Sequence, residues 1–63
     1  MGEVVFITTC DTDIHAVTGD IDMVRMKVTR NDWIETVDHR YVRTSNIVSI
    51  WVPSEDELEN YEF

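Results

Sequence analysis

The sequence predicts an all-β domain: a small five-stranded antiparallel barrel over residues 1–53, followed by a short acidic C-terminal helix or tail over residues 54–63. Three observations carry that expectation. Runs rich in Val, Ile, Thr and aromatic residues recur at 3–9, 14–18, 21–30, 33–38 and 41–52, divided by polar pairs that suit tight turns. The last run is interrupted by Thr44-Ser45-Asn46 and ended by Pro53, which has no N–H to give a ladder. Ser54-x-x-Glu57 then reads as a capping box, in which the serine hydroxyl and the glutamate carboxylate satisfy early helix N–H groups reciprocally.

The first run places Val4 and Phe6 on one strand face and Val5 and Ile7 on the other, so it needs cover on both sides. Cys10-Asp11-Thr12-Asp13 has the composition of a turn. In 14–18, Ile14 and Ala16 alternate with His15 and Val17, and Gly19-Asp20 breaks the run. Residues 21–30 put Val24, Met26 and Val28 on an apolar face and Arg25, Lys27 and Thr29 on a polar one. A helix is the alternative there, and the period of two with β-branched ends favours a strand. Asn31-Asp32 turns the chain. With a two-residue loop Met26 faces Val37 and Arg25 faces Asp38; with a three-residue loop the register slips by one, and the sequence leaves both open. In the last run Val48, Ile50 and Val52 share the expected core face, with Ile47, Ser49 and Trp51 on the outer one. Val24, Met26, Val28, Val48, Ile50 and Val52 are therefore the expected core. A helix this short is marginal alone, so the C-terminal segment is ordered only if Leu58, Tyr61 or Phe63 finds a groove, and is otherwise a frayed acidic arm.

Short strands, tight connections and a polar kink before the last strand suggest a half-open barrel of the SH3-like type. Residues 41–50, with V-R-T-S-N-I-V-S-I at their centre, also resemble the second signature of Sm-like proteins, I-R-G-N-N-I followed by a strand. Thr44 stands where that family has glycine, and the family's first signature is absent. The resemblance implies a shared barrel solution and carries no RNA-contacting residue over to this chain.

Sixty-three residues make one domain, near the size at which chains need a staple. The single cysteine, Cys10, excludes an intrachain disulfide and a multi-cysteine zinc site, which makes a homo-oligomer the expected route to stability. A lone reduced thiol with no signal-peptide pattern leads to a cytoplasmic expectation. No apolar run approaches the roughly 20 residues that span a bilayer, so no membrane partner is expected. Thirteen acids stand against five bases, a net charge of −8, and all charged residues after Pro53 are acidic: Glu55, Asp56, Glu57, Glu59 and Glu62. Such a chain repels phosphate backbones, which disfavours nucleic acid and favours a basic protein partner.

No catalytic residue, metal or cofactor is expected. Cys10 with His15 or His39 has no motif that positions an oxyanion hole, and Cys10, Asp11, Asp13 and His15 match no metal-loop spacing. Trp33 and Trp51, the latter with Ile47, are the interface candidates, because tryptophan dominates interface energies; the acids Glu55, Asp56, Glu57 and Glu59 join them. The leading expectation is a non-catalytic, small acidic binding protein that self-associates and engages, or inhibits, another macromolecule, as many phage or mobile-element chains do. The alternative is an oligomer that binds or sequesters an anionic small molecule or nucleotide through Arg25, Lys27, Arg40 and Arg43. An Sm-like RNA-binding ring comes third.

Overall fold

A computed structural model describes residues 3–61. Its elements run β1 (Val4–Thr9), β2 (Ile14–Thr18), α1 (Ile21–Arg30), β3 (Trp33–Glu35), β4 (Tyr41–Arg43), a 3₁₀ turn (Thr44–Asn46), β5 (Ile47–Trp51) and α2 (Glu55–Asn60). The strands divide into two small antiparallel sheets, one ordered β2-β1-β5 and one made of β3 and β4. Neither is closed, so the five strands do not form one continuous barrel sheet. A backbone bond from Val37 N–H to the Ala16 carbonyl (2.9 Å) ties the β3–β4 hairpin to β2, while that from Cys10 N–H to the Asn46 carbonyl (2.9 Å) extends the β1–β5 pairing and that from Thr44 N–H to the Asp32 carbonyl (2.9 Å) the β3–β4 pairing.

The expected strand over residues 21–30 is a helix. Asp20 caps it, its carboxylate accepting from Met23 N–H at 2.8 Å. Asp22 lies in its first turn and Lys27 and Arg30 in its last, the order the helix dipole favours. Ile21, Val24 and Val28, spaced as one helical stripe, face the core. Met26, which the alternating pattern assigned to that face, is exposed. Arg25 consequently does not meet Asp38, which pairs instead with Arg40 at 3.3 Å.

β1 is the central strand. Its Val5 and Ile7 join Val17, Val24, Ile34 and Val42 in the core, and Ile21, Val28, Ile47 and Ile50 pack against that cluster. Its other face carries Phe6, also buried, whose ring meets Trp51 edge-on at 5.8 Å and Tyr61 at 5.0 Å. The strand thus finds cover on both sides within one chain.

In β5 the expected faces do not hold. Thr8 pairs with Ser49 and Thr9 with Ile47, a shift of one residue that leaves Val48 without a partner opposite. The irregularity puts Ile47 on the same side as Ile50, against the core, while Trp51 keeps its expected place on the opposite face, beside Phe6. Val48 and Val52, both expected in the core, are exposed. α2 begins at the expected capping box: Ser54 Oγ accepts from Glu57 N–H (3.3 Å) and Glu57 accepts from Ser54 N–H (3.0 Å). Leu58 is half-buried, Tyr61 docks on Phe6, and Phe63 lies outside the described residues.

Candidate functional site

The β3–β4 hairpin is built to hold side chains outward. Strand alternation buries Ile34 and Val42 and turns Trp33, Glu35, Tyr41 and Arg43 to the opposite face. Trp33 lies opposite Arg43 and Glu35 opposite Tyr41. The Arg43 guanidinium sits 5.4 Å from the Trp33 ring centroid, a cation–π contact that orients both side chains. Trp33 is still 53% exposed and Tyr41 66% exposed.

The hairpin is fixed at both ends. At its open end the Thr44 hydroxyl donates to the Asn31 carbonyl (2.7 Å). At its turn the buried Thr36 hydroxyl donates to the Asp38 carboxylate and accepts from Arg40 N–H (3.2 Å). That hydroxyl donor, more than the nearby Arg40 charge, holds the Asp38 carboxyl below its ordinary range. His39 occupies the left-handed region (φ 64°), and its Nδ1 lies 3.1 Å from Glu35. A face held this way loses little side-chain and loop freedom on binding, which is where much of an interface's free energy otherwise goes.

Trp33 forms a ridge between two clefts. One, of 420 Å³, runs past Cys10, Asp11, Asp13 and His15 to Arg43 and Asn46. The other, of 270 Å³, is bounded by Lys27, Asn31, Thr36 and His39. In the first, Thr9 donates its hydroxyl to Asp11, and this bond keeps the Asp11 carboxyl ionised to lower pH than usual. Among the described residues no group of three or more His, Cys, Asp or Glu is arranged to hold a metal ion.

The residues singled out from sequence fall in separate places. Trp33 is on the exposed hairpin face. Trp51 and Ile47 lie on opposite sides of the β1–β5 pair, both half-buried against their own chain. Glu55, Asp56 and Glu59 are exposed along α2, whereas Glu57 accepts from Trp51 Nε1 at 3.0 Å besides capping the helix. Arg25 and Lys27 belong to α1, Arg40 to the hairpin turn and Arg43 to β4, so the four do not line one cleft. Sequence reasoning missed Tyr41 and the Trp33–Arg43 pair. Alternation along Y-V-R around Val42 carries the signal for the outward face of Tyr41 and Arg43.

Glu57 gives the C-terminal segment, away from the hairpin, a pH response. The Ser54 N–H first, and then the Trp51 indole, hold its carboxyl below the ordinary glutamate range. A depressed carboxyl contributes stability above its unfolded value and loses it as pH falls through the lowered one. Trp51 fluorescence, read in a Trp33→Phe background, should therefore be flat near neutrality and change only below the ordinary glutamate range. In Glu57→Gln that acid-side change should disappear; an identical titration in both proteins rules Glu57 out as its source.

No helix among the described residues is long and apolar enough to cross a membrane. Comparisons with protein-family models, curated proteins and solved structures gave no significant match.

Proposed function

We propose that this chain is a non-catalytic acidic binding protein that self-associates and engages another macromolecule, with the outer face of the β3–β4 hairpin as its contact. The observation that carries the reading is the exposed Trp33 and Tyr41 beside Arg43 on a braced hairpin. Trp, Tyr and Arg are the three side chains enriched at interface hot spots. The scaffold reads as a half-open barrel of the SH3-like type, in which Val37 links the hairpin to β2 and the 3₁₀ turn carries β4 into β5. A net charge of −8, with Glu55, Asp56 and Glu59 exposed, favours a basic protein as the partner.

Affinity capture from the source organism, with mass spectrometry, tests this for wild type and Trp33→Ala. A basic protein held by wild type should be lost at least tenfold in the variant, since a hot-spot truncation costs about 2 kcal/mol or more. Circular dichroism should be unchanged. Equal capture by both proteins removes the hairpin face from the function, and a co-purifying nucleotide in place of protein replaces the reading with small-molecule binding.

A further inference from the structure

The two helices lie on opposite faces of the three-stranded sheet and carry opposite charge. α1 docks on the side of Val5 and Ile7, and the α2 segment on the side of Phe6. α1 bears Arg25, Lys27 and Arg30 against Asp22, a net +2; α2 bears Glu55, Asp56, Glu57 and Glu59, a net −4. Among the described residues, the two ion pairs are His39–Glu35 and Arg40–Asp38. Within the described residues none of Arg25, Lys27, Arg30, Glu55, Asp56 or Glu59 has an ionic partner, although all six are exposed. The sheet keeps the two helices apart, so they cannot neutralise each other within one chain.

The outward side of α1 is also less polar than a solvent face should be. With Ile21, Val24 and Val28 turned to the core, a 3.6-residue period directs Asp22, Met23, Met26 and Arg30 away from it and sets Lys27 on the flank beside them. Met23 is 47% exposed and Met26 53%. Two flexible thioethers between cations make an adaptable contact surface.

We propose that this face of α1 is a docking surface for α2 of a second copy of the chain, joined head to tail. The inference rests on the reading of the chain as self-associating and names the surfaces that meet. Charge complementarity selects the occupant, and the spacing fits it. Glu55 and Glu59 are four apart on α2, and Lys27 and Arg30 three apart on α1, so each pair spans about 5–6 Å on its helix. Glu57 is turned toward Trp51 and stays out of the contact. The chain's acid excess does not prevent the approach. Near 0.1 M salt the Debye length is about 10 Å, shorter than the molecule's 29 × 25 × 19 Å extents. Charges on the far side are screened, and those in contact are not.

Two consequences distinguish this contact from a symmetric dimer. Different surfaces meet, so each added copy leaves one α1 and one α2 face open and assembly does not stop at two. Two short helices also bury less than the roughly 1,000 Å² of a stable interface, so association is weak and concentration-dependent.

Sedimentation velocity near 0.1 M salt, at concentrations up to about 0.5 mM, as such weak interfaces require, tests it with two charge-reversed chains. One is Lys27→Glu with Arg30→Glu; the other is Glu55→Lys with Glu59→Lys. Wild type should grow in average mass without a plateau at dimer, each variant alone should stay monomeric, and their equimolar mixture should associate at least tenfold more tightly than either. High salt should dissolve all assemblies. Far-UV circular dichroism confirms that both variants are folded. A wild type that associates together with variants that associate equally well overturns this contact and leaves self-association standing. A wild type that stays monomeric overturns both.

Discussion

Ile7→Ala will lower the unfolding free energy by about 2–5 kcal/mol, the range for truncating a fully buried aliphatic side chain. Ile7→Asp will leave the chain unfolded at 25 °C. Ile7 has no exposed surface, pairs with His15 on one side and Ile50 on the other, and belongs to the cluster that holds Val17 and Val24. A chain of 63 residues has about 3–9 kcal/mol of stability in total, so the alanine variant uses much of the margin and a buried carboxylate exceeds it. Met26→Asp is the matched control. An alternating strand would bury Met26, whereas the helix leaves it in solvent, so this variant should shift stability by less than about 0.5 kcal/mol. Urea denaturation of the three proteins decides the matter; a large loss in Met26→Asp would restore the strand over residues 21–30.

Ending the chain at Pro53 will cost about 2 kcal/mol and lower the melting temperature by about 8–16 °C. The segment removed contains Tyr61, which covers one side of the buried Phe6 ring, and Glu57, which holds the Trp51 indole that covers another. Exposing part of a phenylalanine and losing an aromatic contact together reach that magnitude. Tyr61→Ala should reproduce about half of the loss. Thermal unfolding followed at 222 nm measures the series. A truncated chain that melts with wild type would mean that the aromatic cover contributes nothing, and that α2 matters through its charge alone.

Local chemistry was legible in the sequence wherever it depends on near neighbours. Ser54 and Glu57 specify a capping box within four residues, and Thr44-Ser45-Asn46 with Pro53 brackets the last strand. The two apolar faces of β1 were equally plain, though the source of the second cover was not. Residues 21–30 satisfy both periods at once: Val24, Met26 and Val28 alternate, while Ile21, Val24 and Val28 make a helical stripe. Asp20 at the N-cap, with acid early and base late, was the discriminating signal, and it was read as a break. The shift at Thr8/Thr9 was beyond sequence reading because it arises between strands distant in the chain, and it moved Val48 out of the core and Ile47 in. The hairpin face was half legible: Trp33 stood out by composition, but its pairing with Arg43 needed the register.

The central place of β1 also sets the order in which the molecule can be made. One edge of β1 pairs with β2, its neighbour in sequence, and the other waits for β5; Thr8 and Ser49, bonded across that pair, are 41 positions apart. At translation rates of about 5–20 residues per second, β1 spends on the order of seconds with that edge open and Phe6 uncovered. The pairing that completes the sheet is therefore non-local, the kind that slows folding and exposes nascent chains to aggregation. The early product is a β1–β2 ribbon that no core yet supports.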